Sequence, residues 1–422
     1  MNLNKLLYIV LLVFLAFIPK INLISFSMTT AGIRIDDFIV LFLFLMYVLS
    51  IFTKRSIKIE LEKFKKIRKY IIIYLVICLI SVVVGSIANT INPFTGIIYF
   101  GRKIEYFLFI YFGYDFYKSD EDKDFLTKFV IVSIIYHLVV ALLQYFGFVG
   151  AFISGSFESN ISKSRIASIF NGPYEFAGYL LLLIPFISCN VKNKLLKIVS
   201  YLIIFLCIYL SQSRTSLVVF FVVLLMQYIA KNNSKNIKKI FIYAFLSIVS
   251  IFVMTNIGNI IEYLPRFETL NINKMILETK RAWMYKDFNS LYGHLGSEGD
   301  MSFNIRISKN MAFIDGIIKH PIFGMGLSVV KIAADCNYIR IAAESGILGL
   351  VAFLALISCI YIQFKRGKLS LQQTVKYQLI TLILSAIFID IFEASKVITF
   401  FYFILGASLK QEKLEETKDG TN

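Results

Sequence analysis

The sequence predicts an all-α, polytopic membrane protein, and three observations carry that reading. Of its 422 residues, 58% are apolar and 17% charged, whereas a soluble domain is nearer half apolar and a quarter charged. Apolar runs long enough to cross about 30 Å of hydrocarbon recur along the whole chain. The cations between them gather in short loops, which is how cytoplasmic loops are marked. A β-barrel is excluded, because its strands alternate with period two over roughly ten residues. Helices satisfy their backbone hydrogen bonds within one segment, as hydrocarbon demands.

Taken in order, the runs predict about twelve spans: 5–26, 33–53, 70–90, 97–116, 125–149, 174–190, 195–212, 215–231, 239–261, 338–364, 374–393 and 397–409. The last is short enough to be re-entrant or tilted, which leaves eleven open. Lys5 and the apolar run after it resemble a secretory signal, but no small-residue cleavage site follows and further spans do, so this run reads as the first anchor. No internal repeat or soluble domain interrupts the chain, and 1–422 reads as one integral membrane domain.

Orientation follows from the basic loops. Lys54, Arg55, Lys58, Lys63, Lys65, Lys66, Arg68 and Lys69 lie between the second and third spans, Lys192, Lys194 and Lys197 after the sixth, Lys231, Lys235, Lys238 and Lys239 after the eighth, and Lys365, Arg366 and Lys368 after the tenth. All fall on one side if both termini are cytoplasmic. The loops at 150–173, around Ser213-Arg214, and the large polar loop at 262–337 then lie outside the cytoplasmic membrane.

The formal charge of +17 does not indicate nucleic acid, because the cations sit at loops that meet anionic lipid headgroups. Cys78, Cys189, Cys207 and Cys359 fall in or beside apolar spans and Cys336 lies in the polar loop without a loop partner, so no disulfide framework is implied. His137, His294 and His320 share no metal-ligand spacing. Trp283, in the outer loop, is read as an interfacial anchor.

The candidate chemistry lies on the outer side. Apolar residues at 307, 311, 314 and 318 share one helix face, with Arg306, Lys309, Asn310 and Lys319 on the rest; such a helix lies in the headgroup plane. Pro321 ends it, and Gly324 and Gly326 allow a tight return. Arg214 follows Ser211-Gln212-Ser213, and Arg165 precedes Ile169-Phe170-Asn171-Gly172-Pro173. Outward arginines run against the charge bias of membrane loops, and their planar forks suit the paired oxygens of a phosphate or diphosphate. Within the spans, Arg102 and Glu105 are spaced to neutralise each other, Arg340 and Glu344 share a helix face, and Asp390, Glu393 and Lys396 cluster near the outer end of the eleventh span.

The stretch from Ser211 to Leu350 resembles the bacterial O-antigen ligase and polymerase superfamily. The elements that carry the resemblance are Ser213-Arg214, Arg306, Pro321, Gly324-Met325-Gly326, Asn337-Tyr338 and Glu344-Ser345-Gly346-Ile347-Leu348-Gly349, in that order, with Arg165 to Pro173 matching a further outer segment. Where ligases place a His before the Asn, this chain has Cys336 beside Asp335, so the role of that His does not carry over. The departure favours a repeat-unit polymerase over a ligase.

The resemblance implies a fold like the C-type membrane glycosyltransferases, acting on sugars joined by diphosphate to a polyprenyl lipid, with no cofactor and no metal. It implies Arg214 and Arg306 as the groups that stabilise the leaving diphosphate; the acceptor hydroxyl needs a base, for which Asp335 is the candidate and His320, Glu344 and Cys336 are the alternatives. Arg165, Lys309, Asn337, Tyr338, Arg340 and Glu344 become the expected substrate contacts. The expected partners are polyprenyl-diphosphate-linked oligosaccharides, membrane lipids and a chain-length regulator protein. The alternatives are ligase-type transfer of finished glycan to a lipid core or protein, and a polysaccharide-lipid transporter or flippase; a transporter would ordinarily show two similar halves, and none is evident.

Overall fold

The computed structural model describes residues 3–19, 22–25, 32–52, 61–153, 156–158, 165–232, 301–329, 336–418 and 420. The expected ninth span at 239–261 and most of the 262–337 loop lie outside the described residues. Among the described residues the chain forms twelve α-helices: α1 (Leu3–Phe17), α2 (Ile35–Phe52), α3 (Glu62–Ile87), α4 (Pro93–Phe116), α5 (Asp120–Tyr145), α6 (Pro173–Asn190), α7 (Lys194–Leu210), α8 (Arg214–Asn232), α9 (Met301–Lys319), α10 (Asn337–Phe364), α11 (Ser370–Ser385) and α12 (Ser395–Lys418). Three of them, α3, α5 and α10, are long and apolar enough to cross a membrane by length and composition.

Local chemistry sets several helix starts. Asn92 accepts from the Phe94 amide at 2.9 Å and Pro93 takes the first turn of α4, where a missing N–H costs nothing. At α5, Asp122 reaches back to the Ser119 amide at 3.2 Å, closing a capping box. Asn193 accepts from Leu195 and Leu196 at the start of α7.

Two helices form the interior. Every residue of α12 from Ser395 to Leu409 is buried, as is every residue of α6 from Phe176 to Ile187, the pattern of a helix enclosed on all sides. The closest crossing joins α12 to α4. A Cβ on Gly113 would stand 1.9 Å from the Phe403 carbonyl oxygen, and one on Gly406 would stand 1.9 Å from that of Ile110. Bare backbone on both helices is what permits such approach without a hydrophobic drive from water. On α3, by contrast, Ile72, Val76, Leu79 and Val83 form a stripe that faces out of the bundle, as lipid contact requires.

The basic loops share one end of the bundle. Lys5 of α1 pairs with Asp122 of α5, Lys63 of α3 pairs with Glu412 of α12, and Asn190 at the end of α6 bonds Thr374 of α11 at 2.9 Å. These contacts bring together the ends that flank the loops carrying Lys192, Lys194, Lys365, Arg366 and Lys368. The opposite end carries the α3–α4, α7–α8 and α11–α12 connections and the loop before α6.

The structure departs from the sequence reading at three places. The first helix stops at Phe17, and the apolar residues beyond it contribute to a two-stranded hairpin, β1 (Asn22–Ser25) with β2 (Gly32–Arg34). A second small hairpin, β3 (Ala151–Ile153) with β4 (Ser156–Glu158), follows α5. The expected span 374–393 is broken: α11 ends at Ser385, and a turn with a short 3₁₀ segment, Ile391–Glu393, leads into α12. A helix of that length covers only ~24 Å, short of the ~30 Å of a bilayer's hydrocarbon core. Helix α12 compensates, running 24 residues where a short terminal span was expected.

Candidate functional site

The site is built on a break in α10. Gly346 lies inside the helical run at φ 69° and ψ −171°, a conformation strained for any residue with a side chain. The break leaves carbonyls of the first half and amides of the second without helical partners. The loop after α9 supplies both. Met325 and Gly326 donate to the carbonyls of Ala343 and Glu344 at 2.8 and 2.9 Å, and the amides of Ile347 and Leu348 donate to the carbonyls of Pro321 and Ile322 at 2.8 and 3.3 Å. The Ser81 hydroxyl of α3 also donates to the Glu344 carbonyl, and Thr90 donates to that of Met325. A Cβ on Gly85 would lie 2.4 Å from the Met325 oxygen, so the loop rests on bare α3 backbone.

Just beyond this junction lies a buried ionic cluster. Arg340 Nε meets Glu344 Oε1 at 3.1 Å, and its Nη1 pairs with Asp390 Oδ2 of the α11–α12 turn. Lys103 of α4 pairs with Glu393 of the same turn, whose carbonyl accepts from the Tyr106 hydroxyl at 3.4 Å. Lys103, Arg340, Glu344 and Asp390 are buried, and the Glu393 side chain is 12% exposed. Lys103 stands roughly ten residues, or ~15 Å, from the Pro93 end of α4, so this is charge well inside the helical bundle. Such residues face a bundle interior or a water-filled cavity and are functional candidates by default. Irregular backbone at that depth carries the same implication, since only protein or water can satisfy it.

Asn337 and Tyr338 hold the turn to α10. The Asn337 amide donates to the Ala386 carbonyl at 2.9 Å, and its side-chain Oδ1 accepts from the Phe392 amide at 2.8 Å. The Tyr338 hydroxyl donates to the Ile383 carbonyl at 3.1 Å.

A second group of expected residues meets at the corner between α7 and α8. Ser211 caps α7, Gln212 adopts φ 52°, and Ser213 opens α8 with its hydroxyl 2.6 Å from that of Ser216. Arg214 is thereby the first residue of α8, and it is exposed. The first amides of a helix have no intrahelical acceptor and its dipole there attracts anions, so a cation at this position is suited to an anionic ligand rather than to the helix itself. The Ile166 amide donates to the Leu210 carbonyl at 3.3 Å, which brings the Arg165 segment to the same corner. Arg165 lies over the Tyr174 ring at 4.8 Å. Gln144 fixes this segment by accepting from the Ser168 amide and donating to the Ser168 carbonyl, both at 2.8 Å.

Arg306 and Lys309 fall on α9, but their side chains lie outside the described residues, as does Asp335 altogether. On the same helix Ile314 and Ile318 face outward while Asp315 is buried and paired with Lys319 at 2.8 Å. The Arg340–Glu344 pair is present as the spacing indicates, and Asp390 joins it. The pairing of Lys103 with Glu393 was not read from the sequence, where Arg102 and Glu105 were matched instead; the signal available was a lysine in mid-span with no local partner. Among the described residues, no group of three or more His, Cys, Asp or Glu is arranged to hold a metal ion.

No curated protein matches the chain significantly. Residues 199–354 match a family model described as O-antigen ligase. That stretch runs from α7 through the Arg214 corner, α9 and the Gly324–Gly326 loop to beyond the break in α10. Over those residues the match supports the resemblance to the O-antigen ligase and polymerase superfamily.

Proposed function

We propose that the protein is a membrane glycosyltransferase that polymerises polyprenyl-diphosphate-linked oligosaccharide repeats into surface polysaccharide, O antigen or capsule, at the outer face of the cytoplasmic membrane. The observation that carries this reading is the exposed Arg214 at the positive end of α8, with the Arg165 segment bonded to the same corner. The family supports glycosyl transfer on lipid-linked glycans in the broad sense. Both termini are cytoplasmic in this reading, with about twelve spans and the 262–337 loop outside.

In the reaction, an acceptor sugar hydroxyl attacks the anomeric carbon of the donor. The carbon–oxygen bond to the diphosphate breaks, its electron pair leaves with the diphosphate, and the hydroxyl proton passes to a base. Charge grows on the leaving group, and fixed guanidinium groups stabilise it without reorganisation. Arg214 and Arg306 take that role, Arg165 assists, and Asp335 accepts the proton. Diphosphate is a good leaving group, so the demand on the base is modest.

The test is Arg214→Ala and Arg306→Ala in the native host, with surface polysaccharide length resolved on gels at matched protein level. Loss of long chains is expected; long chains persisting would sink the assignment. The family description favours a second reading, ligation of finished glycan. A deletion strain separates the two, since a polymerase defect leaves single repeats and a ligase defect leaves unattached polymer.

A further inference from the structure

Two buried polar atoms beside the ionic cluster have no hydrogen-bond partner among the described residues: Asn337 Nδ2 and Asp390 Oδ1. Their orientation is fixed by what their sister atoms do. The Phe392 amide can only donate, so the Asn337 atom it meets at 2.8 Å is the oxygen, and the amide nitrogen must point elsewhere. Asp390 commits Oδ2 to Arg340 and leaves Oδ1 open. Asn337 is fully buried and Asp390 is 8% exposed. Phe392 is two residues from Asp390, so the turn that anchors Asn337 also presents the free carboxylate oxygen. Buried polar groups are nearly always satisfied, and two unpartnered ones at a single turn call for an explanation, of which a bound group is one.

A donor and an acceptor offered at one junction of turn and helix complement one hydroxyl group, which accepts through its oxygen and donates its hydrogen. We infer that Asn337 and Asp390 form a subsite for a sugar hydroxyl of the glycan, with Arg340 as the positioning residue that orients Asp390. The inference rests on the glycosyltransferase reading above and adds a contact that none of the outer arginines supplies. An anion is disfavoured there because one of the two open atoms is itself a carboxylate oxygen and the cluster's three carboxylates outnumber its two cations, Arg340 and Lys103. A bare cation is disfavoured by the Asn337 N–H groups.

The two residues are nearly isosteric with their exchanged forms, which provides the test. Asn337→Asp still accepts from Phe392 but removes the donor; Asp390→Asn still accepts from Arg340 but removes the free acceptor. A hydroxyl can rotate, so the double exchange N337D with D390N restores one donor and one acceptor. The probe is the oligosaccharide released by mild acid from the host's lipid-linked repeat, which lacks the diphosphate. Its binding is measured to the full-length protein in lipid nanodiscs.

Each single exchange is expected to weaken binding about tenfold, as loss of one buried hydrogen bond does, and the double exchange to recover most of it. Single variants that bind like the parent, or a double exchange no better than the singles, overturn the subsite and leave a structural water as the occupant. A parent protein that does not bind the oligosaccharide overturns it as well. Arg214→Ala, assayed alongside, separates this from the broader reading. If that variant keeps full transfer while the exchanges still govern sugar binding, the subsite stands and the leaving-group assignment falls.

Discussion

Gly324 and Gly346 meet backbone to backbone, each at positive φ, +72° and +69°. A Cβ on Gly346 would lie 2.1 Å from the Ile322 oxygen, and one on Gly324 would lie 2.5 Å from the Gly346 nitrogen. Neither neighbour is a flexible side chain, so relief requires the loop to leave α10. Gly346→Ala is expected to destabilise the protein by about 1–3 kcal/mol from the strained backbone alone, with the clash added. Thermal unfolding of the purified protein in detergent checks this, and an unchanged midpoint contradicts the interlock.

The buried Lys103–Glu393 pair predicts an asymmetric response. Removing one partner strands the other charge, at a cost of about 3–5 kcal/mol, whereas replacing both with neutral groups of similar volume is far milder. Lys103→Met is therefore expected to lower stability sharply, and the double variant with Glu393→Gln to regain most of it. Chemical denaturation of the three proteins side by side measures the difference.

At the crossing of α4 and α12 the limiting factor is space. Gly406→Ala places a methyl group against the Ile110 carbonyl, and overpacking of this kind costs about 1–3 kcal/mol or more. Folded yield, read by gel filtration of membrane extracts, is expected to fall, while Gly101→Ala, where a Cβ meets nothing within 4 Å, leaves it unchanged.

Gln144 holds Ser168, itself at φ 51°, by both of its backbone groups. Gln144→Ala leaves a buried donor and acceptor unsatisfied, at about 1–3 kcal/mol each. Faster amide hydrogen exchange across 165–172 is the expected signature, with α6 and α12 unaffected. Uniform exchange in parent and variant counts against this anchoring.

The helices were legible because each long apolar run needs only a count of residues, and the Arg340–Glu344 pair because four residues return a helix to the same face. The meeting of Gly324–Gly326 with Gly346 was visible only as two glycine patterns in order. Backbone hydrogen bonds between distant segments leave no mark on side-chain choice beyond the missing Cβ. The end of α11 was hidden by composition: Ala386-Ile387-Phe388-Ile389 continues the apolar run, and the break depends on Asn337 binding the turn from another helix. The partner of Lys103 was hidden for a related reason, since Glu393 lies on a distant turn and not within a helical turn of α4.

The separation of Lys103 from Glu393, 290 residues along the chain, also bears on biosynthesis. At ordinary ribosomal rates roughly 15–60 s elapse between the emergence of the two. For that interval a nascent α4 carries an unmatched ammonium group at a depth where insertion scales charge it about 2.5–3.5 kcal/mol. The ion pair can therefore close only once translation has passed the α11–α12 turn, which makes this contact one of the last to form in the bundle.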